Sequence, residues 1–216
     1  HLEGQSKILL GEVANAYRLT RNASSMNSSD PCQVDVNCLP EGNNWQDEKR
    51  GVVRLSVRIG NSLYWCSGSV MNNTDLDCKP YVLTALHCGL GASIADYNQW
   101  IFYFNYESSA CASGSAPQNQ TVTGASMVAN SNDGGGDSGS DFLLVELNSN
   151  IPLAYNTYYN GWNRINSSSS SGVSIHHPAG DRKKISTYSS ALSTSQWGSG
   201  SGSHWRVYWI STSNGH

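Results

Sequence analysis

The chain has 216 residues, of which 13% are charged, and its formal net charge is -3. This length can bury a sizeable core, as one domain or as two small barrels, and it excludes a miniprotein held together by disulfides alone. The slightly negative charge excludes a basic surface for nucleic acid, and no apolar run is long enough to cross a membrane. We therefore expect no nucleic-acid or membrane partner.

Glycine, serine, asparagine and aromatic residues are abundant, which is typical of a secreted all-β protein with short strands and polar turns. Six cysteines in such a chain are expected to be bridged, which indicates an oxidising compartment, although their spacing alone assigns no pairing. The start at His1 carries no signal-peptide pattern, so we expect a processed or trimmed chain.

In chain order, residues 1–27 are interpreted as an N-terminal extension, which could be the tail of a pro-segment, and residues 28–216 as the folded domain. The alternation of Val53, Leu55 and Val57 predicts a half-buried strand, and Gly60-Asn61 predicts a hairpin turn. Further strands are predicted at 63–70, 81–84, 100–104, 142–147, 173–175 and 205–210. No segment has a sustained helical period, so we expect a sandwich or a barrel.

The most informative motif links two cysteines to a histidine. One predicted strand carries Cys66-Ser-Gly-Ser-Val70, and the next strand leads into Thr84-Ala-Leu-His87-Cys88. A bridge between Cys66 and Cys88 would staple the loop that carries His87, and a general base must be held within hydrogen-bond reach of its nucleophile. The alternative interpretation is a structural histidine beside a chance pair of cysteines.

These residues resemble the chymotrypsin-like serine peptidases, in particular the secreted bacterial lysyl endopeptidases, including the protease IV type. The matching segments follow the family's order, and they are 32–38, 66–74, 84–88, 104–111, 140–147, 161–162 and 175–186. The resemblance implies an all-β fold of two antiparallel β-barrels of chymotrypsin-like type, with the second barrel incomplete in this chain.

The resemblance also makes His87 the general base and Asp141 the acid that orients it. Asp141 directly precedes the predicted strand 142–147, where a carboxylate can be buried against an imidazole N–H, whereas a turn cap is the plainer interpretation of such an aspartate. Trp197 would be the family's tryptophan beside the histidine and would contact substrate. An exposed loop aromatic is the equal alternative for Trp197.

By the same resemblance Cys66 pairs with Cys88 and Cys38 pairs with Cys111. Cys78 departs from the family pattern. It could pair with Cys32, with a cysteine outside the chain, or with nothing.

The nucleophilic serine is expected downstream of His216, because in the family it follows in a Gly-x-Ser-Gly segment after a strand that corresponds to 205–210. Gly136-Asp-Ser138-Gly-Ser140 has the letters of that motif, but Ser138 lies only three residues before Asp141, in a run that leads into the acid's own strand. We therefore interpret Ser138 as a loop serine and predict that the chain alone is inactive.

Two other groups of residues suggest metal sites only weakly. Asp133, Asp137 and Asp141 surround a glycine triplet, but their spacing fits no calcium loop. His176 and His177 are neighbours, and neighbours on a strand point to opposite faces, so packing is the preferred interpretation. No metal and no cofactor are expected.

The sequence thus predicts a secreted, extracellular serine endopeptidase that uses a Ser-His-Asp triad, with cleavage after lysine or another basic residue implied by resemblance only. The expected partners are polypeptide substrates and the missing C-terminal segment of the same domain, which could be a separate chain. Two alternatives stay open. One is an inactive peptidase homologue that binds a partner, and the other is a carbohydrate-binding β-domain that stacks sugars on its aromatic residues.

Overall fold

The structure is a computed structural model that describes residue 29, residues 33–112, 114–136 and 139–196, residue 202 and residues 204–210. The predicted extension 1–27, Cys32, Asp137, Ser138 and Trp197 lie outside the described residues. No helix in the described part is long and apolar enough to cross a membrane.

Strands dominate the described residues, and helices are short. The strands are β1 (Val34–Asp35), β2 (Val52–Ile59), β3 (Ser62–Met71), β4 (Tyr81–Ala85), β5 (Ile101–Tyr103), β6 (Thr121–Thr123), β7 (Ala125–Asn130), β8 (Phe142–Leu147), β9 (Gly172–His176), β10 (Lys184–Tyr188), β11 (Ser193–Ser195) and β12 (His204–Arg206). The α-helices are α1 (Leu86–Gly89) and α2 (Ile94–Tyr97), and 3-10 turns cover Glu48–Gly51, Leu153–Tyr155 and Pro178–Gly180.

Seven of the strands form one curled antiparallel sheet in the order β6-β5-β2-β3-β4-β8-β7. The predicted hairpin joins β2 to β3, because Ile59 pairs with Ser62 on either side of Gly60 and Asn61. Gly60 has a φ of +57°, a left-handed conformation that glycine adopts without steric cost. The hairpin prediction is confirmed.

The curl of the seven-stranded sheet encloses a single apolar core. Its fully buried side chains are Val53, Leu55, Val57, Val70, Val82, Trp100, Phe102, Phe104, Leu143 and Val145. Burying one such side chain contributes about 1.5–3 kcal/mol, so this core is the main source of stability for the sheet.

The prediction that β2 has one face in water is wrong for most of the strand. Arg54 and Ser56 lie on the opposite face from Val53 and Leu55, yet both are buried. The guanidinium carbon of Arg54 lies 4.3, 4.2 and 3.6 Å from the ring centroids of Trp65, Tyr103 and Tyr106. Stacking on aromatic rings lets a cation be buried, so an arginine that alternates with apolar residues along a strand need not face solvent.

A second, smaller unit, the three-stranded sheet β1-β10-β9, lies against that face of β2, where Arg54 donates to the Gly180 carbonyl at 3.0 Å. The strands β11 and β12 form a separate two-stranded sheet. The strand predicted at 205–210 is wrong beyond Arg206, because only residues 204–206 pair with β11. The all-β class is confirmed.

Buried charges connect the two units. Lys183 precedes β10, is fully buried, and donates to the Lys49 carbonyl at 2.7 Å and to Glu107 Oε2 at 3.0 Å. Lys49 Nζ lies 2.8 Å from the other oxygen, Glu107 Oε1. One carboxylate therefore contacts two buried ammonium groups, one of them from the second unit.

Candidate active site

The pairing of β4 with β8 brings His87 and Asp141 together. Ala85 at the end of β4 pairs with Phe142 at the start of β8. Beyond this pair, the Leu86 amide donates a backbone hydrogen bond to the Asp141 carbonyl at 2.8 Å. His87 follows in α1, and Asp141 precedes β8, so two residues that are 54 positions apart share one corner of the sheet.

His87 makes two contacts with the carboxylate of Asp141. The ring nitrogen Nδ1 lies 2.5 Å from Oδ2, and the backbone amide of His87 donates to Oδ1 at 2.8 Å. Because the ring and the amide of one residue engage both oxygens, the imidazole is fixed in position and in rotation relative to the acid.

The protonation of the pair follows from its surroundings. Burial would raise the pKa of Asp141, but hydrogen bonds from the His87 ring and from the amides of His87 and Gly136 hold that pKa below its usual value. An ionised carboxylate only accepts hydrogen bonds, so Nδ1 carries the proton and Nε2 of the neutral ring keeps its lone pair. The His87 side chain is 53% exposed, against 14% for Asp141, so the ring is accessible to a reacting group while its acid is shielded.

The described residues contain two disulfides, of which Cys66–Cys88 lies at this corner. Cys66 on β3 is bonded to Cys88 on α1, with the Cα atoms 6.4 Å apart, and Cys38 is bonded to Cys111. These are the pairs that the resemblance implied. Within the described ranges, Cys78 is exposed and forms no disulfide, and Cys32 lies outside them.

The Cys66–Cys88 bridge should contribute measurably to stability. Replacing both cysteines with alanine is expected to lower the free energy of unfolding by about 3 kcal/mol, since the bridge joins residues 22 positions apart and restricts the unfolded chain. Denaturant unfolding of the full-length protein measures the change. A Cys78→Ala variant is the control, and equal stability of the two variants would contradict this role of the bridge.

The residue that sequence reasoning missed is Asp133. It was considered only as a member of a calcium cluster, yet its Oδ2 accepts a hydrogen bond from the Asp141 amide at 3.1 Å. An aspartate followed two residues later by a glycine amide donor is an Asx turn, and Asp133 makes this bond with Gly135 at 3.1 Å. The Asp-Gly-Gly sequence was thus a usable signal.

The remaining predicted residues do not join this corner in the described structure. His177 is buried, and its Nδ1 lies 2.9 Å from the Asp181 carbonyl, while burial lowers its pKa well below the usual value. His176 lies on β9, and burial lowers its pKa as well. Among the residues that the structure describes, no cluster of His, Cys, Asp or Glu could hold a metal ion.

Comparison with known proteins places the chain in a family. The family model described as lysyl endopeptidase, C-terminal domain, matches residues 26–215. The curated lysyl endopeptidase of Pseudomonas aeruginosa is 29% identical over 168 residues, which cover 74% of this chain and 34% of that protein. The chain therefore spans about a third of the length of that relative.

Two solved structures share the fold. A thermostable serine protease from an extremophilic microorganism has a TM-score of 0.51 and 13% identity, over 78% of this chain and 82% of that one. The protease Anisep from Arthrobacter nicotinovorans has a TM-score of 0.51 and 18% identity, over 79% and 82% of the two chains. At these identities the likeness concerns the fold alone, and it confirms the chymotrypsin-like architecture. Together with the family match, it shows that the chain belongs to the lysyl endopeptidase C-terminal domain family.

Proposed function

We propose that the protein is a serine endopeptidase in which His87 is the general base and Asp141 is the acid that orients it. The observation that carries this proposal is the pair of contacts between His87 and Asp141, which directs Nδ1 to the acid and leaves Nε2 available to a reacting group on a ring that is 53% exposed. We propose further that the nucleophilic serine is supplied by a segment downstream of His216, in the same chain or in a separate one.

The reaction follows from this arrangement. The serine Oγ attacks the peptide carbonyl carbon while Nε2 of His87 takes the hydroxyl proton, and Asp141 stabilises the imidazolium that forms. The imidazolium then gives its proton to the leaving amine, and an acyl-enzyme remains. Water, activated by the same nitrogen, hydrolyses the acyl-enzyme, so the cycle needs no cofactor.

Cleavage after lysine and secretion are part of the same proposal. The curated relative is named a lysyl endopeptidase, and this name supports a preference for lysine. The two disulfides support an extracellular location, because such bonds persist in oxidising compartments.

Hydrolysis of peptide amides by the full-length protein tests the proposal. Three substrates that differ only in lysine, arginine or leucine before the scissile bond are expected to rank with lysine first. The Ser138→Ala variant should keep the wild-type rate, because we interpret Ser138 as a loop serine. Loss of activity in Ser138→Ala would mean that Ser138 is the nucleophile and that the proposed downstream serine is wrong. The absence of any preference for a basic residue would overturn the proposed specificity.

A further inference from the structure

The carboxylate of Asp133 accepts a hydrogen bond from the backbone of Asp141, and the carboxylate of Asp141 in turn contacts His87. Oδ2 of Asp133 accepts from the Asp141 amide at 3.1 Å. Its Oδ1 accepts from the Ser131 hydroxyl at 2.7 Å and from the Gly135 amide at 3.1 Å. One side chain therefore ties the beginning of the turn between β7 and β8 to its end.

Asp141 needs such an anchor because its backbone is left-handed, with a φ of +49°. A residue other than glycine holds this conformation only when its surroundings determine it. The Asp141 carbonyl accepts from Leu86, and its carboxylate accepts from His87. Asp133 holds the remaining polar group of the Asp141 backbone, the amide.

The glycines of the turn allow this close packing. A Cβ atom at Gly139 would lie 2.2 Å from Asp133 Oδ2, so a side chain there would displace the Asp133 carboxylate. A Cβ atom at Gly135 would lie 3.1 Å from the His87 amide nitrogen and 3.3 Å from Asp141 Oδ1. Gly139 thus lies against the carboxylate of Asp133, and Gly135 lies against the carboxylate of Asp141 and the backbone of His87.

We propose that Asp133 is a positioning residue for the peptidase reaction, which holds the Asp141 backbone so that both oxygens of its carboxylate meet His87. This inference rests on the proposed function. The Ser131 hydroxyl, followed by the Asp141 amide, lowers the pKa of Asp133 to about 2, so the side chain remains an acceptor at any working pH.

Kinetics of the full-length protein with Asp133→Ala test this role. We expect kcat to fall about 100-fold, because a displacement near 1 Å of a catalytic group costs about that factor, while KM stays within about twofold. Asp133→Asn should recover part of kcat, since its amide oxygen can still accept from the Asp141 N–H. Asp75→Ala changes an exposed aspartate in the loop before β4, at the opposite end of that strand from His87, so it is the matched control and should match the wild type.

A second readout separates positioning from general stabilisation. We expect the proton between His87 Nδ1 and Asp141 to give a strongly deshielded signal in the proton NMR spectrum, because it lies in a short hydrogen bond to a carboxylate. We expect this signal to shift or broaden in Asp133→Ala and to be kept in Asp75→Ala. If Asp133→Ala does not fold, Asp133→Asn decides the question, with an expected loss of about tenfold in kcat at unchanged KM.

The outcomes separate this inference from the proposed function. If His87→Ala is inactive while a folded Asp133 variant keeps the wild-type kcat and NMR signal, positioning by Asp133 is overturned and the peptidase proposal stands. An Asp133 variant in which KM rises while kcat is unchanged also overturns positioning by Asp133. If His87→Ala keeps full activity, the peptidase proposal itself fails.

Discussion

Replacing Asp141 with asparagine is expected to lower kcat about 10⁴-fold with little change in KM, which corresponds to a barrier increase of about 5.5 kcal/mol. The change keeps the size and shape of the side chain. It removes the negative charge that faces Nδ1 of His87 at 2.5 Å. The imidazolium formed in the transition state then lacks its counterion.

The loss of kcat is large because the side-chain amide of asparagine cannot accept both of the hydrogen bonds that the carboxylate accepts. The His87 amide donates to Oδ1, so the oxygen of asparagine is best placed there. Its NH₂ group then faces Nδ1 and donates to it, which moves the ring proton to Nε2. A ring protonated at Nε2 cannot take the proton of a serine hydroxyl.

Steady-state kinetics of the full-length protein measure this effect, with Asp77→Asn at an exposed loop as the matched control. Asp77 pairs with Lys79 in the loop before β4, at the opposite end of that strand from His87. A fall of less than tenfold in Asp141→Asn would mean that Asp141 does not orient the base.

Replacing Glu107 with alanine is expected to lower the free energy of unfolding by about 3–5 kcal/mol, because it removes the carboxylate that two buried ammonium groups contact. Lys183 is fully buried and Lys49 is largely buried, and both contact this carboxylate. Burial lowers the pKa of Lys183, and the charge of Glu107 opposes this fall. Without Glu107, both ammonium groups face each other across the interface of the two units.

The effect of Glu107→Ala should depend on pH. Burial would raise the pKa of Glu107, but Lys183 and Lys49 hold it below its usual value. A carboxyl group with a lowered folded-state pKa stabilises the protein above its ordinary pKa of about 4.3, and this contribution is lost as the pH falls through the folded-state value. The difference between wild type and variant should therefore shrink in acid.

Denaturant unfolding at several pH values measures both effects. Asp47→Ala is the control, because Asp47 forms an ion pair with Arg50 on the surface, where its side chain is 66% exposed. Such pairs contribute about 0–1 kcal/mol. Equal destabilisation by the two substitutions at neutral pH would contradict the role assigned to Glu107.

The strands next to His87 and Asp141 could be predicted from their apolar residues, but the pairing of β4 with β8 that brings the two residues together could not. Their partnership was implied only by the resemblance to serine peptidases. The sequence did not show that β2 is covered on both faces, since an arginine at an alternating position reads as solvent-facing. Arg54 is nevertheless buried against three aromatic rings that come from β3, β5 and the loop after β5.

Asp133 shows a different limit of sequence reasoning. Its Asp-Gly-Gly sequence indicates the Asx turn with Gly135, but its bond to the Asp141 amide, eight residues later, has no local sequence signature. The surrounding glycines suggested a connector or a nucleophile motif, whereas in the structure they leave space for a carboxylate. Lys49 and Lys183 are similar cases, because burial of a lysine depends on one distant glutamate that no local pattern identifies.

Labelling with a fluorophosphonate, followed by mass spectrometry of the labelled peptide, tests the central claim most directly. In the full-length protein we expect a single labelled serine downstream of residue 216, with labelling abolished in His87→Ala. Label on Ser138, or labelling that persists in His87→Ala, would contradict the assignment of His87 as the base. Failure to label any serine in the folded full-length protein would favour an inactive homologue instead.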